Sequence, residues 1–242
     1  MNKPPLVLIH GAGGEHLSWP SEIRRLPDTR VYTLDLPGHG KTEGLGRQYI
    51  EDYARSVVEF MDAVGLSRAV FGGHEMGGAI ALVLALDHPE RVAGILLISS
   101  GPRLPMPAGV LENGANLSTL PLAINILQEL SFHVNTPVTL RETVYKHLIQ
   151  IRQTLLFGDW LACDRFDVTR RIESICTPTL VICGTGDKLT PPHFSETLAS
   201  GIPGAALQTV DEAGHMLIIE QPKQIAKLIA VFLATIPYRP GM

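Results

Sequence analysis

The sequence predicts an α/β protein: a mainly parallel sheet flanked by helices, with a helical insertion near its middle. Three observations predict it. Short apolar, β-branched runs recur along the chain and are mostly continuous, as strands covered on both faces should be. Between them lie stretches whose apolar residues repeat on one helical face. One long segment contains no convincing strand, only helical sequence punctuated by prolines. Alternation of strand and helix implies parallel pairing with helices on both faces, so ligands should bind at the carboxyl ends of the strands.

The elements follow in order. Residues 5–10 and 30–34 read as the first two strands. Ile50, Tyr53, Ala54, Val57, Val58, Met61 and Val64 then make one face of a helix, and Gly65 sits where a helix should stop. A third strand at 69–72 runs into a glycine-rich turn, followed by helix-compatible apolar sequence at 79–86. The fourth strand is expected at 94–99. From Pro102 to Arg171 come two helical stretches, 120–132 and 140–156, with Pro102, Pro105, Pro107, Pro121 and Pro137 before or between them. An insertion placed after a strand should sit over the carboxyl edge of the sheet as a lid, giving a core of residues 1–101 and 172–242 and a lid of 102–171. The alternative is a set of extra packing helices that never touch substrate. Strands at 178–183 and 205–210 resume the alternation, and Ile225, Leu228, Ile229, Phe232 and Leu233 mark a closing helix.

Composition narrows the function. The 242 residues are 45% hydrophobic, enough to bury one substantial core. A formal charge of -4 without a Lys/Arg cluster argues against nucleic acid or an anionic membrane surface as partner. No apolar run approaches the roughly 20 residues of a membrane helix, and the first residues lack a signal-peptide pattern, so a cytoplasmic protein is expected. Cys163, Cys176 and Cys183 are odd in number and lack metal-ligand spacing, which reads as ordinary thiols. Two glycine runs are decoys. Gly40-Lys-Thr42 has Asp35 where a phosphate loop needs its first glycine, and Gly11-Ala-Gly13 has His16 where a dinucleotide fingerprint needs its third.

The turn after the third strand reads Gly73-His-Glu75-Met-Gly-Gly78. A strand that reverses into a helix within one residue forces the apex into a strained conformation, which only small neighbours such as Gly73 and Gly77 allow. The segment resembles the Gly-His-Ser-Met-Gly-Gly elbow of the α/β-hydrolase superfamily, with glutamate where serine is the usual nucleophile. The resemblance runs over the whole chain: Leu8-Ile-His-Gly-Ala-Gly-Gly14 matches the His-Gly loop, and Asp35-Leu-Pro-Gly-His-Gly40 the segment after the next strand. Gly184-Thr-Gly-Asp-Lys-Leu-Thr-Pro191 matches the acid loop, and Ala213-Gly-His-Met216, followed by Glu220-Gln-Pro222, the histidine loop. It implies the α/β-hydrolase fold, of the small lidded esterase and lactonase-like kind, without the antiparallel strands that often precede the His-Gly strand.

Carried over position by position, the resemblance makes Asp187 the triad acid and His215 the general base, in the order nucleophile, acid, base. A carboxylate on one imidazole nitrogen fixes the tautomer and compensates the cation. The oxyanion hole is expected from the backbone N–H groups of Ala12 and Met76, and His10 and His74 are expected to orient loops. No metal or organic cofactor is implied, because this chemistry is complete with protein groups.

Glu75 leaves three outcomes open. In the first, a serine-type acyl hydrolase scaffold is blocked or altered: attack by the carboxylate would give a mixed anhydride, and the longer side chain reaches where the substrate carbonyl belongs. In the second, Glu75 displaces a leaving group from an alkyl carbon or opens an epoxide. Relatives that do so use aspartate, usually with a proline after His-Gly-x and with lid tyrosines or an indole as donors. Here those positions offer Gly13, Tyr145 and Trp160. In the third, the chain only binds a small molecule. Serine to glutamate needs two base changes and aspartate to glutamate one, yet the surrounding motif is that of the serine branch. Near the helix N-terminus, the amides and an imidazolium, Glu75 is expected to be ionised and paired with protonated His215.

For the substrate, Leu122, Ile126, Leu127, Phe132, Leu148, Leu155, Phe157 and Trp160 suggest a small, mostly apolar molecule, with Trp160, Phe132 and Met216 as candidate contacts. Arg141, Lys146, Arg152 and Arg165 could bind one carboxylate. Carbon–carbon hydrolases of the superfamily often place tryptophan beside the catalytic histidine, where this chain has Met216.

Overall fold

The structure is a computed structural model and describes residues 3–237; Met1 and Asn2, on which part of the leader-sequence reading rests, lie outside them. Strand β1 (Leu6–Ile9) is followed by a short helix α1 (Ser21–Arg24), β2 (Val31–Thr33), α2 (Ile50–Ala63), β3 (Ala69–His74), α3 (Met76–Asp87) and β4 (Val92–Ile98). Four helices come next: α4 (Val110–Gly114), α5 (Leu120–Ser131), α6 (Val138–Leu148) and α7 (Gln153–Arg165). The chain then returns through β5 (Thr179–Gly184), α8 (Pro192–Gly201), β6 (Ala206–Val210), α9 (Leu217–Glu220) and α10 (Pro222–Thr235). The six strands form one sheet in the order β2-β1-β3-β4-β5-β6, and every neighbouring pair is parallel.

Alternating side chains of each strand serve opposite faces. Val7, Ile9, Phe71 and Leu97 pack with α2, α3 and Leu198 of α8. Leu6, Leu8, Val70 and Leu96 pack with Trp19, Ile23 and the Ile225, Ile229 and Leu233 stripe of α10. Both faces are thus closed, which is why the strands are continuous apolar runs rather than alternating ones. Helix α3 is buried on all sides from Met76 to Ala85, so its sequence has no polar face at all.

The expected single helix at 140–156 is instead two, α6 and α7, separated by a turn at 149–152. Arg152 adopts an extended conformation at the start of α7 and its guanidinium donates to the Gly44 carbonyl at 3.0 Å. The periodicity runs on through the break because Leu148, Ile151 and Leu156, from both helices and the turn, pack into one apolar cluster with Val110, Ile124 and Trp160. Helix α4 is too short to show a period, and only the structure reveals it. Among the described residues no helix is long and apolar enough to cross a membrane.

Topology selects where a site can form. Strand β1 lies between β2 and β3, so the chain leaves the carboxyl ends of β1 and β3 toward different sides of the sheet and opens a crevice there. In the pairing of these strands Ile9 stands beside Gly73, which brings the His10–Gly14 loop against Glu75.

Candidate active site

Glu75 is the apex between β3 and α3, with φ 51° and ψ −112°. This is strained backbone for a residue with a Cβ. It is held by Glu75 N–H donating to the Ile98 carbonyl (3.0 Å) and by the Ser100 hydroxyl donating to the Glu75 carbonyl (2.9 Å). The glycines around it are steric requirements. A Cβ on Gly73 would fall 2.0 Å from the Gly77 carbonyl, and one on Gly77 would fall 2.1 Å from the Ile9 oxygen.

The side chain of Glu75 is nearly buried and both of its oxygens are engaged. Oε2 accepts from the Ala12 N–H at 2.7 Å, and Oε1 accepts from the Cys163 thiol of α7 at 3.3 Å. Met76, the first residue of α3, has an N–H with no hydrogen-bond partner among the described residues. Of the two amides expected to face an oxyanion, one therefore holds the carboxylate and the other is free at a helix N-terminus.

Asp187 follows β5 and His215 follows β6, and the two meet: His215 Nδ1–H donates to Asp187 Oδ2 at 3.1 Å. Thr190 braces the pair. Its hydroxyl donates to Asp187 Oδ2 (2.7 Å) and lies 3.0 Å from His215 Nδ1, while the Leu189 and Thr190 N–H groups donate to Asp187 Oδ1. Burial works against the His215 cation, but the Asp187 charge and hydrogen bond, helped by the Glu75 and Glu220 charges, hold its pKa above the usual imidazole value. Burial acts to raise the pKa of Asp187, but the His215 charge together with the hydrogen bonds from His215 and Thr190 outweighs that burial and lowers it.

The direct Glu75–His215 ion pair expected from the sequence does not form. Among the described residues His215 pairs within 4 Å with Asp187 alone. The carboxylate prefers the fixed Ala12 N–H donor, which lies at the bottom of the turn from β1, so Glu75 acts on His215 through its field rather than through contact.

His10 and His74 are structural ties. His10 Nδ1–H donates to the Gly11 carbonyl (2.8 Å) and Nε2 accepts from the Leu36 N–H (3.2 Å). His74 Nε2–H donates to the His215 carbonyl at 2.9 Å. Burial pushes both imidazoles toward the neutral form, His10 to about 4 with His39 adding repulsion, and His74 to about 3 with His215 adding repulsion.

A cavity of about 350 Å³ opens between this constellation and the helical insertion. Glu75, His215, Ala12 and Met216 line it from the core, and Met106, Leu127, Leu140, Val144, Leu148 and Trp160 from the insertion. Trp160 and Met216 therefore stand where substrate contacts were expected. Phe132 does not: its ring faces the Arg141 guanidinium, 5.8 Å from the ring centre, and its backbone packs under Gly214. Apolar spacing cannot tell a residue that faces a cavity from one that props a neighbouring loop. None of Arg141, Lys146, Arg152 or Arg165 lines the cavity either. Arg141 is turned onto the His133 carbonyl, Arg152 onto Gly44, Arg165 over Tyr49, and Lys146 onto Glu142.

Several site residues escaped the sequence reading. Thr190, Cys163, Glu220 and Asp159 all bind loops of the site. Glu220 accepts from the Gly214 and His133 N–H groups at 2.7 and 2.9 Å and so ties the histidine loop to the end of α5. Asp159 is a charged residue within the apolar run of α7, and that misfit was the available signal. Glu15, His16 and Asp35 offer possible metal-ligand atoms within 4.8 Å of one another, but the Asp35 carboxylate already accepts from His16 N–H, His16 Nδ1 and Lys41 N–H.

Comparison with known proteins places the fold in a family. Residues 4–222 match a family described as alpha/beta hydrolase fold. A 2-hydroxymuconate semialdehyde hydrolase of Pseudomonas putida is 30% identical over 95% of this chain and 87% of its own length. The structure of a thermophilic esterase superposes with a TM-score of 0.85 at 28% identity, covering 96% of this chain and 90% of that one. The enol-lactonase of Burkholderia xenovorans LB400 does so with a TM-score of 0.86 at 25% identity, covering 97% and 92%.

Proposed function

The chain belongs to the alpha/beta hydrolase fold family, and from that premise we propose that its scaffold serves to hydrolyse an ester or lactone of a small, mostly apolar, uncharged molecule, with Glu75 holding acyl turnover off. The hydrolase, esterase and enol-lactonase it resembles support the reaction class. The observation that carries the role of Glu75 is the 2.7 Å hydrogen bond from Ala12 N–H to Oε2. That donor is the one a tetrahedral oxyanion would need, and a carboxylate resting on it imitates a bound acid product.

In the serine form of this scaffold, His215 takes the proton of the nucleophile, Asp187 holds the imidazole, and the Ala12 and Met76 amides receive the developing negative charge. With glutamate, the Ala12 half of the oxyanion site is occupied before substrate arrives. The insertion acts as a lid, contributing Trp160 to the substrate side, with Met216 opposite on the histidine loop. Among the described residues no Lys or Arg lines the cavity, His10 and His74 are neutral, the His215 imidazole is already paired with Asp187, and Glu75 and Glu15 bring carboxylates, which favours an uncharged substrate. Three free cysteines fit a cytoplasmic location.

The test is hydrolysis of chromogenic esters of short and medium chain. The Glu75→Ser variant is expected to exceed the unmodified protein by at least about a thousandfold, and adding His215→Ala to remove that gain. No ester hydrolysis by the serine variant would overturn the reading. A second reading shares the anchored oxygen: Oε2 fixed by an amide leaves Oε1 to attack an alkyl carbon. Against it, Oε1 is met by the Cys163 thiol and Tyr145 is not among the cavity-lining residues, leaving Trp160 as donor. Turnover of a haloalkane or epoxide by the unmodified protein would establish that reading instead.

A further inference from the structure

The turn that carries the Ala12 donor is gripped from the insertion. Residues 11–14 close through the Gly14 N–H donating to the Gly11 carbonyl at 3.0 Å. The next amide along is held by α7: the Gly13 N–H donates to Asp159 Oδ2 at 2.8 Å. On the other side of the same residue, His147 of α6 lies with Nε2 3.1 Å from the Gly13 carbonyl oxygen. Gly13 sits at φ +64°, and a Cβ there would meet Leu156 Cδ1 at 2.7 Å and Ile151 Cδ1 at 3.0 Å. Thus a proline at this position would lack both the N–H and the room.

Asp159 is wholly buried and has no water-facing role. Its Oδ2 also accepts from His39 Nε2 at 2.8 Å, and its Oδ1 accepts from the Tyr53 hydroxyl. Tyr53 stands on α2 and His39 on the loop after β2. One carboxylate of the insertion therefore joins the lid, the His39 loop and the turn from β1. Burying an ion with three donors is costly unless every bond is made, so docking of α7 and placement of the Gly13 peptide are formed or lost together.

We propose that Asp159 is a positioning residue for the oxyanion hole: by holding Gly13 N–H from the lid, it sets the orientation of the adjoining Ala12 N–H, so that the hole is complete only when α7 is docked. This rests on the acyl-hydrolase reading of the site. Ala12 donates now to Glu75, and in a serine form it would donate to the transition state, so misplacing it should lower the rate without weakening ground-state binding.

Two measurements on Asp159→Asn test it. Asparagine keeps the shape and one acceptor oxygen but removes the charge that gathers the three donors. In the Glu75→Ser background the variant is expected to lower kcat on a chromogenic ester by about a hundredfold, with KM within about twofold. In the unmodified Glu75 protein, the amide proton resonances of both Gly13 and Ala12 are expected to move upfield. A change in KM with kcat kept, or an Ala12 resonance that stays in place while Gly13 moves, would reduce Asp159 to a packing role and overturn the proposal. If Glu75→Ser hydrolyses no ester, the acyl-hydrolase reading falls, and the amide resonances of the unmodified protein still decide whether Asp159 positions Ala12.

Discussion

Glu75 shows how much one residue depends on its donors. Its backbone is strained, its two oxygens are taken by an amide and a thiol, and its charge reaches His215 without touching it. The histidines beside it carry a measurable consequence. His10 and His74 ionise in the folded protein only near pH 4 and 3, against about 6.5 when unfolded. Between those values the unfolded chain binds more protons, so stability rises with pH and falls on acidification. His39 and His215 have raised values, so what they contribute is present below about pH 6.5 and is lost only above it. The window from 6.5 to 4 thus belongs to His10 and His74. Urea unfolding should show His10 alone losing roughly 3 kcal/mol across it, and His10→Asn should flatten the slope. A stability that stays level from pH 6.5 to 4 would contradict the burial-driven neutral state.

At the scale of elements, the elbow works because β1, β3 and α3 approach without side chains between them. The Ile9 oxygen occupies the place a Gly77 side chain would need. Gly77→Ala is expected to destabilise the fold by about 1–3 kcal/mol or more, read as a lower urea midpoint with an unchanged slope. A loss under about 0.5 kcal/mol would mean that α3 can slide away from β1 at little cost. The insertion follows a different logic. Its apolar stripe makes a small cluster of its own around Ile124, Leu156 and Trp160, and polar ties connect it to the core: Asp159 to Gly13, Arg152 to Gly44, Glu220 to His133.

At the scale of the molecule, the cavity belongs to neither part alone. The core supplies the chemistry at the crevice between β1 and β3, and the insertion supplies mostly apolar walls, with no Lys or Arg among the described residues. That division makes a prediction about charge. In the Glu75→Ser protein, kcat/KM for a neutral ester should exceed that for an ester bearing a second carboxylate by at least about tenfold, because the extra anion would be desolvated without a partner. Equal rates would mean that the second carboxylate finds a partner among the imidazoles that line the cavity, His147 and His215.

Much of this was legible in the sequence, and the reason is local. Strands such as residues 69–74 and the stripe of α2 declare themselves through the spacing of side chains along a few turns, and Gly73 and Gly77 through a backbone geometry that tolerates no Cβ. The match of Asp187 and His215 to loop motifs put them in one order, and the structure put them in contact. What the sequence could not decide was every choice among competing partners. Glu75 selects the Ala12 amide, 63 residues away, over His215, Asp159 reaches Gly13 across 146 residues, and Phe132 turns to Arg141 instead of the cavity. Such choices depend on distances and desolvation that exist only once distant segments have packed, so the residue types and their period came from the sequence, while the hydrogen-bond partners and the direction of each side chain came from the tertiary structure.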